Sequence, residues 1–276
     1  MTKTRDLLRA RYANAFEESG LSALELGSPV LDTVFAHRSV RAFKPDPLPP
    51  QTLELLVAAA QSAPSSSNLQ VWSVLAVEDP ARKDRIAGYA GGQAQIREAP
   101  LFLAWLVDLS RLQRLGEHTQ KPVDGLHYLD TFLMGVIDAA LAAQNAVTAA
   151  ESLGLGTVYI GALRNHPEEV TKEFALGPGV FAVFGLCVGW PDPARPATIK
   201  PRLPQRSVLF REQYHANEIE REVSSYDTAM RDFYASQNLP RASWIEHSLQ
   251  RIASAADLRR RDRLYEALRG LGFQLR

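Results

Sequence analysis

From about His127 to Leu153 the chain carries one Ala-rich helical pattern, which would run roughly 40 Å at about 1.5 Å per residue. A helix of that length crosses most of a 276-residue chain and acts as a central spine for the other elements. Its Gly135–Leu153 stretch carries Asp138, Gln144, Asn145 and Glu151, and no uninterrupted apolar run approaches the roughly 20 residues needed to span a bilayer. Strand and helix signals alternate around it. A helix is expected at 51–60, directly after Pro49–Pro50, and ends at Pro64–Ser65–Ser66–Ser67–Asn68. Apolar β-type runs follow at 71–77, 101–107, 156–161 and 180–186, with a helix between the last two. Residues 4–20 look like a charged amphipathic helix, and 207–276 read as helix-rich, charged and less apolar.

Bulk properties narrow the function classes. Hydrophobic content of 46% with 22% charged residues is that of a water-soluble globule. The 31 basic and 31 acidic side chains cancel, so neither a nucleic-acid partner nor a basic membrane-binding face is expected. The single cysteine, Cys187, excludes an internal disulfide framework, fits a reducing compartment and sits in an apolar run as a core thiol. The charged N-terminus lacks the apolar stretch of a secretory signal, so a cytoplasmic location is expected. Gly154-Leu-Gly156-Thr-Val-Tyr159 misses the third glycine of a dinucleotide fingerprint. There is no P-loop, no Gly-x-Ser-x-Gly elbow and no His-Glu-x-x-His, and the six histidines are scattered without metal-site spacing.

What remains is a set of separated ligand-like pieces. Phe184–Gly185–Leu186–Cys187–Val188–Gly189–Trp190–Pro191 delivers the backbone to a break, and Lys200–Pro201–Arg202–Leu203–Pro204 follows. Prolines restrict that loop, so it presents two preplaced cations suited to a phosphate, or to a ligand gaining negative charge. A second basic cluster, His37–Arg38–Ser39–Val40–Arg41, lies far upstream. Between them come Pro64–Gln70, Gly91–Gly92–Gln93 and Tyr159–Ile160–Gly161–Ala162.

In order and content these pieces, with Ala143-Gln-Asn-Ala146 and Gly185–Pro191 between them, resemble the FMN-dependent nitroreductase family. The match is to its oxygen-insensitive NADPH subgroup, which also holds NADPH–flavin oxidoreductases, and it runs from about Asp32 to the C-terminus. The resemblance implies an α+β fold: a central, mostly antiparallel sheet flanked by helices, a long central helix, and a homodimer. Three segments follow, an N-terminal helical extension (1–31), an FMN-binding core (32–206) and a C-terminal excursion (207–276) that contacts core and partner. The extension is either a dimer-stabilising helix or a disordered tail.

The resemblance also implies roles. Arg38, Lys200 and Arg202 would take the FMN phosphate, with His37 and Ser39 at the phosphate–ribityl end. Arg41 would face the N1/O2 edge of the ring, where negative charge collects, and Gln93 its polar rim. At the strand end marked by Tyr159 and Ile160, the N–H groups of Gly161 and Ala162 would reach N5 and O4. Ser65, Ser66, Ser67 and Gln70 would add contacts, the Pro64–Asn68 loop arriving from the other subunit. The plain alternatives stand beside these: a serine turn and cap, a Gly91–Gly92 loop, and Asp130 as an exposed helical carboxylate rather than a flavin-tuning one.

The implied reaction is ping-pong, with NAD(P)H giving a hydride and a nitroaromatic, quinone or other flat small-molecule acceptor taking two electrons. The subgroup's coenzyme loop is rich in arginines, whereas residues 235–244 hold Arg241 alone, leaving NADPH or NADH open. A flavin-binding sensor, or a non-catalytic flavoprotein dimer of the same fold, is the alternative reading.

Overall fold

The computed structural model describes residues 3–23, 25–215, 219–240 and 243–276. In chain order the helices are α1 (Lys3–Tyr12), α2 (Pro29–Phe35), α3 (Thr52–Gln61), α4 (Pro80–Tyr89), α5 (Ala94–Glu98) and α6 (Ser110–Thr119). They continue as α7 (Leu129–Ser152), α8 (Pro167–Glu173), α9 (Ile219–Ser236), α10 (Trp244–Arg251) and α11 (Leu264–Gly270). The strands are β1 (Trp72–Val77), β2 (Leu101–Asp108), β3 (Gly156–Ile160) and β4 (Val180–Gly189). Two compact units form: Met1–Arg38 with Thr198–Leu258, and Ser39–Ala197 with Arg259–Arg276.

The larger unit, Ser39–Ala197 with Arg259–Arg276, is built on one sheet of order β1-β2-β4-β3 with every strand pair antiparallel. β2 and β4 read as unbroken apolar runs because both of their faces are covered. Alternate residues divide between the two faces. Phe102, Ala104 and Cys187 join one core cluster, while Leu101, Leu103, Trp105, Leu186 and Val188 join another with α3 and α7. A register shift falls between Trp105 and Leu106. Ser39 extends the sheet edge by a parallel bridge to Thr157, and Phe43 pairs with Pro191.

α7 is the expected spine, at Leu129–Ser152, and its small side chains explain how closely it packs. Gly135, Ala139, Ala142, Ala143, Ala146 and Ala150 are buried, and a methyl added at Gly135 would lie 2.7 Å from Val107 Cγ1. By length and composition α7 is apolar enough to cross a membrane. Here its apolarity is divided between that buried face and an exposed stripe, Leu129, Leu133, Ile137 and Leu141, at helical spacing.

In the smaller unit, α1 is seated by buried Thr4, Leu8 and Arg11, and Phe16 just beyond it is 1% exposed. The Thr4 hydroxyl donates to Asp32 on α2, whose N-cap Ser28 accepts from the Leu31 N–H. On α9, Tyr226, Met230 and Tyr234 form a cluster with Leu203, Phe233 and Trp244.

Candidate functional site

The smaller unit brings four of the expected residues onto two segments that one side chain ties together. Arg11, from α1, donates through Nη1 to the Lys200 carbonyl at 3.0 Å. Its Nη2 donates to the carbonyls of Phe35 at 3.1 Å and His37 at 2.6 Å. The Arg202 N–H returns a bond to the Arg11 carbonyl at 2.9 Å. The His37–Arg38 and Lys200–Arg202 segments, remote in sequence, therefore share a single guanidinium.

α9 holds the second segment as well. Tyr226 donates to the Pro201 carbonyl at 3.2 Å, and burial pushes its phenol up, so it stays a protonated donor. Lys200 Nζ lies 5.8 Å from the centre of the Phe233 ring. Arg202 is exposed and folds back onto the Lys200 and Pro201 carbonyls, both at 3.2 Å. Arg38, also exposed, donates to the Ala36 carbonyl at 3.2 Å. Asp227 is 4% exposed and accepts from Ser243 Oγ and from the Trp244 and Ile245 N–H groups, capping α10 from another helix.

The larger unit holds the remaining described residues. Ser39 sits on the sheet edge, with the Val40 N–H bonded to the Thr157 carbonyl at 2.9 Å, and Arg41 is exposed beside it. In the serine loop, Ser65 and Ser66 are engaged internally. Ser65 Oγ donates to Asp138 Oδ2 at 2.6 Å and accepts from the Gln70 N–H at 2.9 Å, while the Ser66 N–H donates to Asp138 Oδ1 at 3.0 Å. Ser67, Asn68 and Gln70 all take left-handed backbone (φ 50°, 56° and 51°), which L-residues adopt at a cost. That loop borders a cavity of about 560 Å³ that also involves Trp72 and Arg111.

Gln93 precedes α5 and donates to the Ala90 carbonyl at 3.0 Å, following Gly91 and Gly92, whose φ values of 78° and 77° require glycine. At the end of β3, Ile160 and Ala162 are buried, so both present backbone rather than side chain. Tyr159 is partly exposed, packs edge-on to Phe184 and donates to Gln144 at 3.3 Å. A Cβ added at Gly161 would first meet Arg164 Nη2 at 3.4 Å. Arg164 is half-buried, donates to the Val183 carbonyl, and has its pKa drawn down by burial.

Sequence reasoning missed Arg11, Asp138 and Arg164. Asp138 gave a signal, a carboxylate among alanines on a buried helical face; Arg11 gave none within an ordinary charged helix. Asp130 is exposed. Arg241 lies outside the described residues. Burial pushes the Cys187 thiol up, in keeping with a core thiol rather than a nucleophile. Among the described residues no cluster of three or more metal-ligating side chains occurs.

Comparisons with known proteins agree in extent. The nitroreductase family profile matches residues 34–190, and the family's C-terminal domain matches 200–276. An oxygen-insensitive NADPH nitroreductase of Salmonella typhimurium is 37% identical over 222 residues, 80% of this chain and 89% of that protein. An NADPH-flavin oxidoreductase of Vibrio harveyi is 34% identical over 81% of this chain and 90% of its own. Among solved structures, B. megaterium NfrA2 superposes with a TM-score of 0.85 at 32% identity, covering 91% of this chain and 100% of that one.

Proposed function

The chain belongs to the nitroreductase family, and from that premise we propose an FMN-dependent NAD(P)H oxidoreductase that reduces nitroaromatics, quinones or related flat acceptors. The observation that carries this reading is the pair of basic segments held by Arg11. Arg38, Lys200 and Arg202 supply the charge a phosphate dianion needs, on backbone that is already ordered.

The donor set fits FMN part by part. In the smaller unit the cations and His37 take the phosphate, and in the larger unit Ser39 offers a hydroxyl to the ribityl end. Arg41 offers its charge to the N1/O2 edge, and the backbone at Gly161 and Ala162 offers N–H groups to N5 and O4. Gly161 suits this because it puts no side chain between the backbone and a ring. Gln93 and the Ser65–Ser67 loop with Gln70 supply further polar contacts. FMN, when bound, supplies the hydride-accepting ring that links NADPH or NADH to the acceptor. The protein's own part is positioning and electrostatics, so no side chain need act as nucleophile or strong base.

We assign the exposed stripe of α7 to a homodimer interface. Leu129, Leu133, Ile137 and Leu141 are 47%, 47%, 56% and 40% exposed, an apolar row a lone water-soluble chain would not favour.

The test is the visible spectrum of the purified protein, followed by anaerobic addition of NADPH and NADH separately. A bound-FMN spectrum that bleaches supports the proposal, and the faster coenzyme gives the preference. Lys200→Met and Arg202→Met should each weaken FMN binding about 10- to 100-fold, the size expected for one lost charge-assisted contact. No flavin after reconstitution, or FMN binding indifferent to both substitutions, would overturn the reading.

A further inference from the structure

The residues before position 34 lie outside the family match, yet α1 is packed into its unit and carries in its last turn Arg11, which is 9% exposed. We infer that Arg11 is a positioning residue: it sets the two phosphate-binding segments into one register, and through it the N-terminal extension becomes part of cofactor binding. This inference rests on the FMN reading above.

The bonds join segments 26 and 189 residues away from Arg11, so neither local backbone propensity nor a neighbouring turn fixes their spacing. The planar fork reaches the carbonyls of Phe35, His37 and Lys200 from two fixed nitrogens, Nη1 and Nη2. A lysine at the same place is a single compact head and cannot hold that geometry. The Arg202 N–H to Arg11 carbonyl bond closes the arrangement from the main chain, and Tyr226 grips Pro201 between the two cations. Each carbonyl turned onto Arg11 is also a negative dipole end withheld from an approaching phosphate. A site with both segments fixed beforehand does not lose affinity to ordering them when the ligand arrives.

The prediction separates FMN from riboflavin, which carries the same ring and ribityl chain without the phosphate. Full-length wild type, R11M and R11K are titrated with both ligands by quenching of flavin fluorescence, with thermal melts alongside. R11M should weaken FMN binding about 10- to 100-fold while changing riboflavin binding less than about 2-fold. R11K, which keeps the charge and loses the fork, should also lose about 10-fold or more for FMN. Equal losses for both flavins would mean a general structural role and overturn the inference. So would an R11K protein that binds FMN like wild type. Should R11M not fold, the R11K ratio of FMN to riboflavin affinity decides alone. Failure of the underlying reading looks different: wild type itself would bind FMN no tighter than riboflavin, and K200M would leave both unchanged.

Discussion

Asp138 offers the sharpest test of how the serine loop is held. The carboxylate is 1% exposed and accepts from Ser65 Oγ at 2.6 Å and the Ser66 N–H at 3.0 Å. A hydrogen bond to a charged group contributes about 1.5–3 kcal/mol, so Asp138→Ala removes about 3–6 kcal/mol of anchoring. Against this stands the left-handed backbone of Ser67, Asn68 and Gln70, roughly 1–2 kcal/mol each and about 3–6 kcal/mol in total. The two effects are of similar size. Once the anchor is gone the loop relaxes and recovers most of its strain, leaving a net loss of about 1–3 kcal/mol. At about 2–4 °C per kcal/mol, Tm falls by only about 2–12 °C. The local effect is far larger. In wild type the amides of Asn68, Leu69 and Gln70 are bonded to the Ser65 carbonyl, the Ser66 carbonyl and Ser65 Oγ. Hydrogen exchange read by mass spectrometry should show the 65–70 segment losing protection in the variant while β2 and β4 keep theirs. Asp138→Asn should fall between, because its amide accepts at one atom and presents a donor at the other. A variant that loses the full anchoring energy globally, with loop amides still protected, would refute the reasoning.

Asp227 carries a pH prediction. Burial pushes its carboxyl up, but bonds from the Ile245 N–H, Ser243, Arg231 and the Trp244 N–H outweigh this and hold it below the usual carboxylate value. A folded-state pKa below the unfolded one stabilises fully above the unfolded value, near about 4, and the gain is lost as pH falls through the folded value. Asp227→Asn should therefore lower Tm at pH 7 and flatten the further decline between about pH 4 and pH 2, followed by thermal melts across that range. Ile137→Glu places a charge in the α7 stripe without touching the buried face. Sedimentation should then show a dimer giving way to monomer with the far-ultraviolet spectrum retained.

The fold was legible where periodicity was strong. The spine helix appears at Leu129–Ser152, and all four apolar runs became strands. β4 runs on to Gly189 because pairing with β2 and β3 continues past the point where alternation stops being informative. Packing at Gly185 shows why a glycine interrupts that run: a Cβ there would lie 2.3 Å from Phe102 Cζ. The candidate site offered the sequence a signal only at its cations and glycines, whose chemistry is local. It was illegible at the residues that hold those pieces, and the reason is physical. Motifs record side chains that face a ligand, whereas Arg11 faces main-chain carbonyls and Asp138 faces a main-chain N–H and a serine hydroxyl.

Main-chain groups are the same whatever the sequence, so they leave no complementary pattern to be read. The two clamps use opposite charges for opposite kinds of partner, acceptors at Arg11 and donors at Asp138. Arg11 has donors only and gathers carbonyls from two remote segments. Asp138 has acceptors only and gathers an N–H and a hydroxyl from one loop. A neutral side chain mixes donor and acceptor and would leave one partner unmet in each place, which is why the isosteric Asp138→Asn is expected to loosen what it does not remove. Burying a charge is unfavourable unless every bond it needs is made, so each clamp ties the solvation of its own charge to the correct placement of its loop. A displaced segment strands the charge, and the penalty returns the segment to its position. The order of each segment therefore depends on a buried ion within its own unit. Activity should consequently be lost at positions 11 and 138 together with loop order, even where Lys200, Arg202 and Gly161 are intact.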